Sequence, residues 1–181
     1  EAWLDHFLDQ IPRKVQEALE PFGYYHGTAT VSQETAPEGH VKVQVMVTRG
    51  GAVLVRGVVV RIEGMEKNEE EFRSLVANFP LAPGMVLRHE VYEEAKRGIH
   101  DAAIRRGCLD GRFLVQEVRV NLGERTADIE VVYDTGPRYF FGAINFSGAP
   151  LYPRPFLNRY LAFQEGEVFS YEKIGETQRN L

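Results

Sequence analysis

Gly107-Cys-Leu-Asp-Gly111 stands 84 residues after Gly23-Tyr-Tyr-His-Gly27, and the reading of the fold turns on this pair. Gly51 and Gly57 return 85 residues later as Gly136 and Gly142, and Phe72 and Phe79 return 84 residues later as Phe156 and Phe163. Four separated landmarks share one period to within a residue, which chance spacing would not give. A fixed period is the mark of a tandem array. The chain therefore holds a little over two copies of one unit. Residues 1–51 form a first copy lacking its first strand, residues 52–136 a complete second copy, and residues 137–181 the start of a third.

The complete copy gives the order of elements. Val53 to Ile62 is β-branched and alternating, as a strand is. Phe72, Leu75, Val76 and Phe79 recur at helical spacing within residues 69–79, and Leu81-Ala-Pro-Gly84 ends that helix. Val91, Ala95, Ile99 and Ala102 mark a second helix over residues 89–106, which Gly107 suits as a left-handed cap. Residues 112–122 and 126–134 read as a hairpin turning at Gly123-Glu124-Arg125. The class is α+β: a β-α-α-β-β unit with two helices covering one face of a three-stranded sheet. Its expected core includes Val60, Phe72, Phe79, Ile99, Ile129 and Val131.

The flanking copies follow the same plan. In the first, Leu4, Phe7 and Leu8 read as part of one helix. A second helix has Pro12 in its first turn and carries Ile11, Val15, Ala18 and Phe22 on one face. Strands follow near residues 25–32 and 41–47, the latter with Val41, Val43, Val45 and Val47 on a buried face. The third copy should supply a strand over residues 139–146 and a helix with Phe156, Tyr160 and Phe163. Gly23, Gly57, Gly107 and Gly142 are the structural glycines. Apolar parity switches at Gly57 and again at Gly142, the sequence mark of a bulge or a broken strand. Gly50-Gly51 reads as a loose joint and Gly136-Pro137 as a stiff one.

Composition narrows the function. Of 181 residues 44% are hydrophobic and 26% charged, a globular profile. No apolar run approaches the roughly 20 residues of a membrane-spanning helix. The opening Glu1-Ala-Trp-Leu-Asp-His-Phe-Leu8 has no basic region before a long apolar core, so no signal peptide is expected in it. The net charge of −5 argues against a nucleic-acid binder, and Arg97, Arg105 and Arg106 read as the solvated face of a helix. An α+β nucleic-acid-binding module remains the alternative class, lacking the basic groove it would need. One cysteine, Cys108, rules out an internal disulfide and reads as a small buried hydrophobe without a cationic neighbourhood.

Catalytic templates fail in turn. His89-Glu90 opens like a zinc-protease helix, but position 93 is Glu. His6, His26, His40, His89 and His100 read as surface residues. None of the serines lies in a nucleophile elbow, and no phosphate loop is present. Glu66, Glu69, Glu70 and Glu71 read as a helix start, where the dipole favours negative charge. No catalytic, cofactor or metal site is expected, and the chain reads as a non-enzymatic binding scaffold.

Several motifs add a resemblance. Ala103-Ile-Arg-Arg-Gly-Cys-Leu-Asp110, Asp134-Thr-Gly-Pro-Arg138 and Tyr139-Phe-Phe-Gly-Ala-Ile-Asn-Phe-Ser-Gly148 resemble those of POTRA domains, the periplasmic repeats of outer-membrane protein insertases. Pro21-Phe-Gly-Tyr-Tyr25 and Arg154-Pro-Phe-Leu-Asn-Arg-Tyr-Leu-Ala-Phe-Gln-Glu-Gly166 are similar to the first and third repeats of the TamA family of translocation and assembly module subunits. Cys108 departs from the family's usual Tyr. The resemblance implies repeats at the periplasmic face of the Gram-negative outer membrane, followed by a C-terminal 16-stranded β-barrel in it. It further implies a role in inserting β-barrels and autotransporters, with an inner-membrane-anchored TamB-like partner and unfolded β-barrel substrates. By the same resemblance the first hairpin strand is an exposed edge. Its candidate contact residues are Arg112, Phe113, Val115, Glu117, Val118 and Arg119, with Glu117 and Arg119 also placed to guard the edge by charge.

Overall fold

Helix, strand and turn form where the periodicities ask for them, with three exceptions that trace to missing partners or to a tolerated proline. The structure is a computed structural model that describes residues 2–35, 40–148 and 151–181, the side chains of residues 2–5 and 35 excepted. Its elements in order are α1 (Ala2–Leu19), β1 (Thr28–Thr35), β2 (Val41–Thr48), β3 (Leu54–Glu63), α2 (Glu70–Ala77), α3 (His89–Arg105), β4 (Arg112–Asn121), β5 (Thr126–Asp134), α4 (Arg154–Leu157) and α5 (Tyr171–Asn180). One sheet pairs β1 with β2, and the other runs β3-β5-β4. The chain divides into two compact units: Glu1–Val59 with Phe79–Ala95 and Gln116–Glu130, and Val60–Asn78 with Lys96–Val115 and Val131–Leu181.

In the first unit, α1 is one unbroken helix with Pro12 inside it, where two helices were expected. Proline removes one hydrogen bond at a cost of roughly 3 kcal/mol. The apolar face of Leu8, Ile11 and Val15 offsets this, because most helix stability comes from packing. Leu8 is buried, whereas Ala18 and Phe22 of the expected face are exposed and Leu4's side chain lies outside the described residues. β1 starts at Thr28 and pairs antiparallel with β2, Thr28 opposite Thr48 and Thr35 opposite Val41. The valine row of β2 is not buried: Val41, Val43, Val45 and Val47 are 39–47% exposed. Among the described residues β2 pairs with β1, and nothing packs over its valine row closely enough to bury it.

Burial along β3 switches sides as the glycine implies. Val53 and Val55 are buried, then Val58, Val60 and Ile62 face inward and Val59 and Arg61 outward. The strand runs unbroken through Gly57, where two inward positions in succession, Gly57 and Val58, give the parity change of a bulge and not a break. β4 shows the same change without a glycine. Phe113 and Val115 are half-buried, Gln116 and Glu117 are both exposed, and Val118 and Val120 turn inward. Two outward residues in succession on one strand mark a β-bulge. β5, between β3 and β4, is the most buried strand.

In the second unit α2 begins at Glu70, with Glu70 and Glu71 in its first turn, where the positive end of the dipole favours carboxylates. Phe72 is fully buried, as are Ile99 and Val131 of this unit and Ile129 of the first, each worth roughly 1.5–3 kcal/mol for a large apolar side chain. Val60 and Phe79 of the expected core are only half-buried. α3 sends His100 to the Tyr133 hydroxyl (2.9 Å) and Lys96 over the Phe113 ring (5.7 Å). Residues 139–146 form no strand. Among the described residues, Phe140 makes one isolated bridge, to Val168, and a strand without a neighbour is not held. The expected helix around Phe156 and Tyr160 is a single turn, α4, followed by a short 3-10 turn.

Candidate functional site

Two helix ends and the two extended segments that begin at Val53 and Tyr139 build the same joint twice. Gly23 (φ +86) and Gly107 (φ +78) both adopt the left-handed conformation that a helix C-cap needs. Gly23 N–H donates to Glu20 O and Tyr24 N–H to Leu19 O, while Gly107 N–H donates to Ile104 O and Cys108 N–H to Ala103 O. Each cap then receives a later segment of the chain. Val53 N–H donates to Gly23 O and Tyr139 N–H to Gly107 O, both at 2.8 Å. The carbonyls of Val53 and Tyr139 accept from Leu87 N–H (2.9 Å) and Phe169 N–H (3.0 Å). A Cβ on Gly23 would stand 2.5 Å from Leu87 O, and one on Gly107 2.8 Å from Val168 Cγ1. Gly57 faces only the Asp128 carboxylate at 3.2 Å, and a Cβ on Gly142 would meet nothing within 4 Å.

The second joint carries an ion cluster with no counterpart at the first among the described residues. Glu66 is buried and binds both Arg138 and Arg106, the latter from Nε at 3.2 Å. Arg106 also pairs with Glu69, and Arg105 with Glu71 at 2.7 Å. Asp134 accepts from Gly136 N–H at 3.0 Å, and the Thr135 hydroxyl accepts from Glu66 N–H at 3.4 Å. Asp134-Thr-Gly-Pro-Arg138 is thus a folded latch. The helix-start reading holds for Glu70 and Glu71, but Glu66 is the hub of a buried cluster. Arg97 and Arg105 are exposed, as a solvated face requires, although Arg105 also pairs with Glu71; Arg106 is turned into the cluster. Sequence reasoning missed the hub because its partners lie 40 and 72 residues away.

Cys108 is fully buried beside this cluster. Burial is the main force pushing its thiol up, Glu66 adds to it, and Arg138 and Arg106 pull the other way without prevailing. The cationic neighbourhood thought absent is therefore present and outweighed. Two histidines are also more than surface residues. His89 and the Tyr25 hydroxyl are hydrogen-bonded at 2.6 Å, and His100 meets Tyr133 as above. Among the described residues no group of three or more His, Cys, Asp or Glu could hold a metal ion. No helix there is long and apolar enough to cross a membrane.

The sheet order puts β4 at one edge, with no strand on its far side among the described residues. Arg112 and Leu114 point outward, and Phe113 packs edge-on against Tyr133 with ring centroids 4.8 Å apart. Beyond the bulge, Arg119 binds Glu117 at 2.7 Å and Glu130 at 3.2 Å. These carboxylates hold the guanidinium's pKa above its ordinary value. On β3, Arg56 pairs with Asp128 and Glu124 and keeps the Asp128 carboxyl below its usual range. Val115 and Val118 flank the bulge, half-buried, on either side of Gln116-Glu117.

Comparison with known proteins agrees with the motifs. Residues 1–49 match the family model described as POTRA domain TamA domain 1. Among solved structures, the chain is similar to Haemophilus influenzae BamA POTRA3-5, with a TM-score of 0.51, 17% identity, and coverage of 95% of this chain and 67% of that one. POTRA1-3 of the periplasmic domain of Omp85 from Anabaena follows at TM-score 0.37 and 14% identity, covering 93% and 68%. The N-terminal domain of Omp85 from Thermosynechococcus elongatus gives 0.35 and 19%, covering 68% and 49%. The α+β fold of this chain is that of POTRA repeats.

Proposed function

We propose that the chain is a periplasmic docking array of an outer-membrane protein assembly factor, a chaperone-like set of POTRA repeats that works without catalysis. Its clients are unfolded β-barrel proteins, autotransporters among them, and its partner is an inner-membrane-anchored protein of the TamB kind. The full protein would sit in the outer membrane through a β-barrel, with these repeats on its periplasmic side. The match of residues 1–49 to a TamA first repeat and the POTRA fold of the chain support this reading.

The observation that carries it is the free side of β4. An extended client segment offers the backbone N–H and C=O groups that an edge strand lacks, so it can add a strand with little demand on its side chains. Arg112, Phe113 and Val115 lie before the bulge, and Glu117, Val118 and Arg119 after it. The bulge and the Arg119 ion pairs blunt the second half, which leaves the first half as the better docking surface.

The test is a proline substitution at Val115 or Val118, which removes a donor from the strand. Each variant is assayed for fold by circular dichroism and for binding of an unfolded outer-membrane protein peptide or of the TamB-type partner. Binding should fall in at least one variant that stays folded, and more for Val115→Pro. Unchanged binding by both folded variants would exclude β4 as the docking edge.

A further inference from the structure

We propose that the cleft between α1 and β1 is a receptor for an arginine side chain of a partner protein. It lies in the first unit and does not rest on the reading given for β4. The cleft holds about 330 Å³, and Leu8, Asp9 and Pro12 of the helix line it together with Val31 and Gln33 of the strand. Val31 and Gln33 are two residues apart and so share one face of β1. The space falls within the roughly 300–1,000 Å³ of ligand clefts, at the small end.

Its lining carries polar groups that the fold leaves without partners. Pro12 has no N–H, so the Leu8 carbonyl loses the donor that a helix supplies four residues on. Leu8 and Pro12 both line the cleft, which places that carbonyl at its wall. Asp9 makes neither an ion pair nor a side-chain hydrogen bond among the described residues. Arg13, at the spacing that would pair with it, is bound to Glu17 at 2.7 Å, and Lys14 lies over the Phe7 ring at 5.8 Å. On the strand side, the Gln33 side chain is likewise without a hydrogen bond among the described residues. A carboxylate, a carbonyl and an amide oxygen, beside the apolar surface of Leu8, Pro12 and Val31, call for a donor-only cation on an aliphatic stem. A guanidinium has five N–H donors in one plane and no acceptor, so it can serve helix and strand at once while its methylenes lie on the apolar residues. The net charge of −5 favours the approach of such a partner.

The experiment follows the amide chemical shifts of the whole chain during titration with N-acetyl-arginine amide. N-acetyl-citrulline amide, of the same shape without the charge, is the control, and putrescine tests for a free amine. Expected is saturable movement of the amides of Leu8, Asp9, Val31 and Gln33 with the arginine compound. The citrulline compound should bind at least about fivefold more weakly. Asp9→Asn should lower affinity about threefold to fivefold, and Asp9→Lys should abolish binding. Pro12→Ala returns a donor to the Leu8 carbonyl. It should weaken binding about threefold in a chain that melts at a higher temperature, a combination that unfolding could not produce. Absence of saturation, equal binding of the citrulline compound, or unchanged affinity in Asp9→Asn or in Pro12→Ala would overturn the proposal. So would shifts centred elsewhere in the chain. Tighter binding of putrescine than of the arginine compound would assign the cleft to free amines and overturn it equally.

Discussion

A thiol flanked by two arginines is usually an activated one, yet Cys108 is held in the opposite state. Because its pKa is raised above 9.0, the protonated form is favoured at neutral pH. The stability gained is whole below the unfolded pKa and is lost as pH climbs through the raised value. Alkylation of the folded chain at pH 8 should therefore run at least about tenfold slower than that of the unfolded chain, and quicken only in strong alkali. Equal rates, followed by mass spectrometry, would contradict the burial described. Sequence placed Cys108 correctly as a small interior residue, but its charged setting depends on Arg138, which no local pattern connects to it. The glycines divide in the same way. Gly107→Ala forces a Cβ into the left-handed region and against Val168, and should cost about 1–3 kcal/mol in denaturant unfolding. Gly142→Ala should stay within about 0.5 kcal/mol, since open space surrounds it. The repeat marks both glycines alike, and only geometry separates them.

Elements were legible wherever their partners are local. The spacing of Phe72, Leu75 and Val76 gives α2, and the hairpin of β4 and β5 follows from its turn. Residues 139–146 have strand composition but no strand beside them, and β2 has the alternation of a half-buried strand without the cover. In both, propensity was read correctly and the missing neighbour decided the outcome. Pro12 erred the other way, since packing along Leu8, Ile11 and Val15 carries α1 through a residue that usually opens a helix. The bulge in β4 could have been found, because Phe113 and Val115 and then Val118 and Val120 change parity in plain sequence. The acidic latch joins three elements that sequence cannot bring together. Glu66→Gln removes the countercharge of two guanidinium groups whose side chains are only 25% exposed. It should cost about 3 kcal/mol. By hydrogen exchange, the amides of Tyr139, Phe141 and Phe169 should then open faster while those of Val53, Val55 and Leu87 keep their rates. Equal acceleration at both sets would mean that the cluster stabilises the chain generally and does not lock its own joint.

Across the molecule, the period of the sequence returns as a repeated hydrogen-bond pattern. Val55 N–H to Met85 O and Gly84 N–H to Val55 O reappear as Phe141 N–H to Glu167 O and Gly166 N–H to Phe141 O, all at 2.8 Å. Spacing marks Gly23 and Gly107 as equivalent, but it put the joints at Gly50-Gly51 and Gly136-Pro137, not at these capping contacts. What differs between them was not legible: Arg138 follows Gly136-Pro137, whereas Ala52 follows Gly50-Gly51. The repeated pattern also bears on where the chain can be cut. The sequence period closes at residue 51, but the carbonyl of Gly23 takes its partner from Val53, and Leu87 completes that contact. A fragment ending at residue 51 would carry a helix cap with its acceptor bare, and a fragment starting there would begin with an extended segment deprived of its anchor. For expression of single modules, the first piece should run through Leu87, so that neighbouring pieces share the stretch between Val53 and Leu87 and do not meet end to end.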